Sequence, residues 1–417
     1  MKDFDKDEMI KIEYVRQIFL ETSKAFRFNL IEPSPIELLS VLEAKSGPSI
    51  RDEIYQFKDK GDREVALRFD FTVGLTRYAT SQKNLKLPAK FSSFGGVWRY
   101  DEPQKGRYRF FHQWNIETFG NLNTEHDAET IEFTSRFFDN LKLQNISIDI
   151  NHRKLVESYI NQIFESNETT LHDIFRAVDK TQKKSKDEIL QEYKQKGYSP
   201  EKLEKILEFS NLKGTPSEIE QSFDTSSLDG WNELCNLYDS LKNRGIDNIR
   251  INFGIVRGLD YYSGIVFEAF DTTSDLGALV GGGRYDNLPN AFGRNDLGAT
   301  GVAGGVERII LRRDEQGIAR IPSKDTTSVL YVNDELKPHA IDCASKLRKL
   351  GVIVNIDLTT KSLKKQMENS SGSKFSIIFA PKEFAEKNVV LRNMVDRTEK
   401  QISLDELVTN PKDILNL

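Results

Sequence analysis

The run FGGVWRYDEPQKGRYRFFHQWNIETFG, residues 94–120, admits few local structures. Gly95 and Gly96 open an extended segment to Tyr100, and an eight-residue loop with Pro103 and Gly106 follows. An aromatic-rich segment then runs from Arg109 to Phe119. Two such segments joined by a Pro/Gly-containing loop predict an antiparallel hairpin. Strand side chains alternate between faces, so Arg109, Phe111, Gln113, Asn115, Glu117 and Phe119 share one side. Phe110, His112, Trp114, Ile116 and Thr118 share the other, and that side is the more apolar. A polar row backed by an apolar row is the pattern of a ligand-site floor. Lys105 and Arg107 add cations from the loop. Guanidinium groups bind phosphate oxygens in pairs and aromatic faces stack on flat rings, so a ligand such as ATP fits this surface.

The remaining chain must supply the walls. Asp7 to Phe26 has apolar residues near a helical period and reads as an amphipathic helix. The segment before Pro33 is expected to be extended, and helix, strand and proline together form a candidate dimer-interface unit. Val65–Thr72 alternates, placing Arg68, Asp70 and Thr72 opposite Val65, Leu67, Phe69 and Phe71, which predicts a strand. From about 154 to 242 the composition turns to Lys- and Glu-rich helical pattern, broken at Gly214-Thr215-Pro216. Its cluster Lys180, Lys183, Lys184, Lys186 reads as a solvated helix face. Strands return at 249–254, 264–270 and 278–281. The run Gly281-Gly282-Gly283-Arg284-Tyr285-Asp286 lets backbone approach a ligand, yet it has neither dinucleotide-fingerprint nor P-loop spacing. Residues 301–311 read as a small-residue strand entering a helix, with Arg308 in the first helical turn.

Residues 314–328 form the best linker, and the alternating strand and helix patterns beyond it predict an α/β domain with a mostly parallel sheet. The expected division is therefore 1–320, carrying the helical insertion, and 326–417. A chain of 417 residues with 38% hydrophobic and 29% charged residues is ordinary for a cytosolic protein. No apolar run reaches membrane-spanning length, and the charged start argues against a secretory signal. Cys235 and Cys343 stand far apart, and the five histidines show no metal-ligand spacing, so a zinc or redox motif is excluded and a reducing compartment is expected. The net charge of −5 excludes a generic nucleic-acid-coating protein but leaves room for a local basic surface.

The hairpin, the segment Arg257-Gly258-Leu259-Asp260-Tyr261-Tyr262 and the run Gly304–Arg308 together resemble the histidyl-tRNA synthetase family. The hairpin is similar to the second signature motif of class II synthetases, residues 301–311 to the third, and the helix up to Pro33 to the first. RGLDYY with GGGRYD downstream resembles the histidine-specific signature, and the tail from Ser328 resembles the group's anticodon-binding domain. The resemblance covers essentially the whole chain. It implies an α+β catalytic domain whose antiparallel sheet is flanked by helices. The implied function is a histidine–tRNA ligase, which uses ATP to form histidyl-adenylate and pyrophosphate and then charges tRNA(His). It also implies Mg2+, a homodimer and a cytoplasmic setting.

Residue by residue, Arg99 matches the arginine on the α-phosphate, and Arg257 the one facing it that stabilises transition-state charge and also belongs to the histidine-binding set. Phe111 and Arg308 match the pair that sandwiches adenine. Arg107 would meet the outer phosphates, and Asp101 stands where the family commonly carries Glu beside ATP. Asp70, Thr72 and Gln113 match positions that hold the α-amino and carboxylate groups of histidine. Glu117 and Tyr262 match those reading the imidazole nitrogens, and Tyr261 lines that pocket. No metal-binding side chain is assigned. His112, on the apolar side, reads as a satisfied core histidine. Two other readings are a histidine-binding regulatory paralogue of ATP phosphoribosyltransferase and a class II synthetase for proline, threonine or glycine. The retained arginines and the tail domain weigh against the first; RGLDYY and Glu117 weigh against the second.

Overall fold

An aromatic cluster organises the larger part of the molecule. Phe19 from the first helix meets Trp114 of the hairpin at 5.7 Å between ring centroids, and Phe137 meets the same indole edge-on at 4.9 Å. All three are fully buried, and truncating such a ring to Ala costs about 3–5 kcal/mol. The computed structural model describes residues 2–46, 48–100, 102, 106, 108–165, 167–182, 184–256, 262–318, 326–359 and 361–415. Two compact units divide the chain, Met1–Ile321 and Pro322–Leu417.

Helix α1 (Lys6–Ala25) starts at a capping box: the Asp5 carboxylate accepts the Glu8 N–H at 2.8 Å, and Glu8 reaches back to the Asp5 N–H at 3.1 Å. Its buried stripe is Ile12, Val15 and Phe19, whereas Met9 and Ile10 of the apolar pattern stay exposed. The stripe packs on the central sheet of the first unit. That sheet comprises β1 (Asn29–Leu30), β2 (Ala89–Trp98), β3 (Phe110–Gly120), β4 (Ile146–His152), β5 (Lys213–Gly214), β6 (Ile249–Asn252), β7 (Ile265–Asp271), β8 (Val280–Arg284) and β9 (Gly298–Gly305). Their spatial order is β1-β2-β3-β9-β8-β7-β4-β6-β5. Pairings are antiparallel through the centre and parallel only at β1·β2 and β4·β6. The expected antiparallel catalytic sheet is thus present, with parallel additions near both edges.

The alternation read from the sequence holds along β3. Trp114 and Ile116 enter the large core under α1 and the helix Thr124–Asn140. On the other side, Phe91, Phe119 and Tyr285 join Phe71, Leu75 and Leu288 in a separate cluster that closes one end of the sheet. The segment Val65–Thr72 departs from expectation. Only Glu64–Leu67 is strand, within a small antiparallel sheet, and Thr72 already begins the helix Thr72–Ser81. Both alternating sets of side chains are buried there, so the hydrophobic period does not mark where the strand stops. Between residues 153 and 243 the fold is mainly helical, and Thr215 caps the helix Pro216–Ser222 with a capping box. Lys180 and Lys184 both pair with Glu192, and Lys186 with Glu204, as a solvated and neutralised helix surface should.

In the second unit, β10 (Thr326–Tyr331) lies between β11 (Ile353–Ile356) and β12 (Phe375–Phe379), parallel to both. β13 (Asn388–Asn393) and β14 (Glu399–Ser403) then add antiparallel. The sheet is therefore mixed rather than mostly parallel. Between Phe379 and Asn388 the chain makes only the short helix Pro381–Ala385, too little for the crossover that a parallel strand needs. Ile377, Phe379, Val389 and Leu391 form its core with Ala344 and Leu347 of the helix Lys337–Lys349.

Candidate active site

Two central strands are rich in glycine. Register places Gly281 and Gly283 of β8 against Ala303 and Gly301 of β9, and those against Asn115 and Glu117 of β3. A polar strand therefore borders a bare floor, and a ligand can lie directly on backbone. A cavity of about 340 Å3 opens over this floor, lined by Arg99, Tyr108, Phe111, Gln113, Glu268 and Arg308 among others. The hairpin loop meets it at Gly106, whose φ of +74° suits glycine.

A hydrogen-bonded chain runs along β3 from a basic end to an acidic end. Arg99 donates through Nε to the Phe69 carbonyl at 3.1 Å and through Nη2 to Gln113 Oε1 at 3.1 Å, with its guanidinium 5.2 Å from the Phe111 ring centroid. Gln113 Nε2 donates to Asn115 Oδ1 at 2.7 Å. Asn115 Nδ2 donates to Glu117 Oε1 at 3.0 Å, and the Thr72 hydroxyl donates to the same oxygen at 2.8 Å. The Tyr285 hydroxyl donates to Glu117 Oε2. Every residue from Gln113 to Tyr285 in this chain is buried. Glu117 is thus a carboxylate fixed by three donors, and fixed groups recognise polar ligands without losing rotamer freedom on binding.

The phenols beside it stay protonated. Burial raises the Tyr262 hydroxyl well above the ordinary phenol value, with the charges of Glu117, Glu268 and Asp70 adding to the effect. Burial and Glu117 do the same for Tyr285. Asp70, Glu117 and Glu268 therefore surround one region with negative charge, while Arg99 and Arg308 stand at the other end. Arg308 is anchored by donating from Nη1 to the Ala278 carbonyl at 2.7 Å and from Nη2 to Leu276. Its neighbour Glu307 accepts the His112 backbone N–H at 2.9 Å and pairs with His112 Nδ1 at 2.9 Å. His112 is thus half-buried and satisfied, tying the strand β3 to the helix Val306–Glu315.

Of the residues singled out from sequence, Arg99, Phe111, Gln113 and Arg308 line the cavity, and Thr72 and Glu117 join it through the chain just described. Asp70 and Tyr262 lie near Glu117. Asp101, Arg107, Arg257 and Tyr261 lie outside the described residues. Sequence reading missed the parts played by Asn115, Tyr285 and Glu268. Asn115 was on the correct face, and Tyr285 sat in the quoted GGGRYD run, so signals existed for both. Glu268 had only its place in a strand pattern. Among the described residues, no three His, Cys, Asp or Glu side chains are grouped to hold a metal ion, and no helix is long and apolar enough to cross a membrane.

Comparison with known proteins gives the site a context. The family profile described as Histidyl-tRNA synthetase matches residues 1–309, and that described as Anticodon binding domain matches residues 326–413. The chain is 33% identical to a histidine–tRNA ligase of Pyrococcus furiosus, over 99% of this chain and 98% of the relative. Its fold is similar to a crystal structure of histidyl-tRNA synthetase from Nostoc sp. PCC 7120, with TM-score 0.83, 24% identity, and coverage of 99% and 97%. It is also similar to a structure described as an ATP phosphoribosyltransferase regulatory subunit/histidyl-tRNA synthetase from Bacillus halodurans, with TM-score 0.76, 20% identity, and coverage of 91% and 96%.

Proposed function

We propose a division of labour among the site residues of a chain that belongs to the histidyl-tRNA synthetase family. It is a histidine–tRNA ligase: histidine and ATP give histidyl-adenylate and pyrophosphate, and the histidine then passes to the 3′-terminal adenosine of tRNA(His). The observation that carries the residue-level reading is the hydrogen-bonded chain from Arg99, just beyond β2, to Glu117 on β3, which joins a phosphate-suited end to an ammonium- and imidazole-suited end.

At the acidic end, Glu117 accepts the imidazole N–H and Tyr262 bonds the opposite ring nitrogen, with Tyr261 lining the pocket. An amino acid lacking these nitrogens would leave buried polar groups unpaired, which is the costly kind of mismatch. Asp70 receives the α-amino group, and Gln113 helps to hold the carboxylate. Thr72 acts through Glu117, since its hydroxyl is directed at that carboxylate. At the basic end, adenine lies between Phe111 and Arg308, Arg99 contacts the α-phosphate, and Asp101 and Arg107 complete the ATP contacts. Attack of the histidine carboxylate on the α-phosphorus breaks the bond to pyrophosphate, and charge builds on the phosphoryl oxygens. Arg99 and Arg257 neutralise that charge, while the strand fixes the two reactants for in-line attack. For Mg2+, the lining carboxylates are Glu268 and Glu307. These carboxylates would supply few ligands, and ATP oxygens would complete the shell of the ion. Bound Mg2+ supplies further neutralisation of phosphate charge.

The unit from residue 326 onward reads the anticodon, the chain acts as a homodimer, and its setting is cytoplasmic. Retention of Arg99 and Arg308 in the cavity favours the ligase over the regulatory paralogue. The residue assignment is tested by histidine-dependent exchange of labelled pyrophosphate into ATP. Arg257→Ala should lower the exchange rate by about 10²–10³ in folded protein, the usual effect of deleting one charge-stabilising donor. Undiminished exchange in that variant would remove Arg257 from the mechanism.

A further inference from the structure

Described backbone flanks residues 257–261 on both sides, and one short stretch of chain holds both flanks. That stretch is Asn151-His152-Arg153, where β4 ends and the helix Arg153–Ile163 begins. On the near side, Asn151 Nδ2 donates to the Phe253 carbonyl at 3.3 Å and to the Ile255 carbonyl at 2.9 Å. Asn151 Oδ1 accepts the His152 N–H at 2.8 Å, which fixes the amide, and the residue is fully buried. On the far side, Arg153 Nη1 donates to the Tyr262 carbonyl at 2.8 Å, and the Arg153 N–H donates to the Gly264 carbonyl at 2.9 Å.

Helix stability does not account for the cation. The N-terminus of a helix carries partial positive charge and favours anions. Arg153 takes the first helical position, and no acidic residue stands in the first turn. Its pairing with Glu157 at 2.6 Å runs in the weaker direction, cation before carboxylate. What Glu157 does is turn the guanidinium: it accepts from Nε, while Nη1 is directed at Tyr262. Just beyond that carbonyl the chain is fixed again, since the Ser263 N–H donates to the Arg284 carbonyl at 2.7 Å and the Ser263 hydroxyl to Asp286 Oδ2 at 3.1 Å. The Tyr262 ring packs against β8, where a Cβ built on Gly283 would stand 3.0 Å from its Cδ1.

We infer that Arg153 is a positioning residue for histidine activation: it holds the main chain of Tyr262 so that the phenol meets the imidazole of the substrate. The inference rests on the assignment of Tyr262 to a ring nitrogen. A recognition group of this kind must be held within about 0.5 Å of its productive place, and it is held by the groups behind it. Because Arg153 opens the mainly helical region 153–243, that region reaches the amino-acid pocket through this guanidinium.

The test is a double-mutant cycle with Arg153→Met, which keeps the aliphatic stem, and Tyr262→Phe, which removes only the hydroxyl. Pyrophosphate exchange is measured with histidine and ATP varied in turn, and rates are referred to folded protein checked by circular dichroism. Arg153→Met should lower kcat/KM for histidine by about 10- to 100-fold, the scale of a misplacement of about 1 Å, and leave the KM for ATP within about threefold of wild type. In the Tyr262→Phe background the same change should cost at most about threefold more, because the group it positions is already gone. A general structural defect would instead multiply the two losses and raise both KM values. Arg153→Met with undiminished kcat/KM for histidine overturns the inference, as does a further loss above threefold in the Tyr262→Phe background or an equal rise in the KM for ATP. If Tyr262→Phe is itself without effect on histidine, the assignment of Tyr262 to the imidazole falls, and the inference falls with it.

Discussion

Gly301→Ala is the most demanding single substitution for the specificity reading. Gly301 lies directly across the ladder from Glu117. A Cβ built there would stand 1.5 Å from Glu117 Oε2 and 2.6 Å from the Ile116 carbonyl oxygen. The carbonyl belongs to backbone within the ladder, so the carboxylate must swing away. Doing so abandons the donors Thr72, at 2.8 Å, and Asn115, at 3.0 Å, together with Tyr285. A hydrogen bond to a charged group is worth about 1.5–3 kcal/mol. Loss of the one that Glu117 makes to the imidazole therefore lowers kcat/KM for histidine by about 10- to 150-fold. ATP is held at the far end of the row, so its KM should stay within about threefold of wild type. Pyrophosphate exchange, run with each substrate varied at saturation of the other, separates the two effects, and circular dichroism with the thermal midpoint checks the fold. A kcat/KM for histidine within about twofold of wild type would refute the placement of Glu117, and so would a loss confined to the KM for ATP.

Tyr285→Phe probes the same carboxylate without crowding it. The ring stays in its cluster, one of three donors disappears, and kcat/KM for histidine should fall about tenfold in the same assay; unchanged kinetics would mean that Thr72 and Asn115 position Glu117 alone. Asp271 tests the acid stability of the first unit. Burial would raise its carboxyl, but hydrogen bonds from Thr273, Arg312 and Gln316 prevail and hold it below the ordinary carboxylate value. Because the folded value is depressed, the group stabilises the fold above the unfolded value of about 4, and this contribution is lost as pH falls through the folded value. Asp271→Asn should melt below wild type at pH 7, and the two melting curves should converge on acidification; a constant gap down to pH 2 would contradict the sign.

The alternation along β3 was legible because one side is a closed core and the other a ligand surface, so period two survives in Trp114 and Ile116 against Gln113 and Glu117. The approach of strand into helix at Gly305 and the first-turn position of Arg308 were legible for a similar reason, since small residues give way there to charged and branched ones. What could not be read locally was register. That Gly301 faces Glu117, or that Tyr285 reaches the same carboxylate, depends on ladders between segments more than 160 residues apart. The start of a helix at Thr72 was hidden because burial on both sides kept the strand-like pattern running. In the second unit, Glu399–Ser403 is a polar edge strand, and its lack of apolar alternation concealed the antiparallel hairpin that makes the sheet mixed.

The pairing of Glu117 with Gly301 also bears on how this chain can fail. A slip of β9 by one residue would seat Thr300 or Val302 opposite Glu117 and turn every β9 side chain to the other face. Such a molecule would keep most of its helices and much of its core, so far-ultraviolet spectra would hardly register the error. Histidine activation would vanish, because the space for the carboxylate would be gone. For preparations recovered from denaturant, turnover per folded molecule is thus a count of correctly registered sheets.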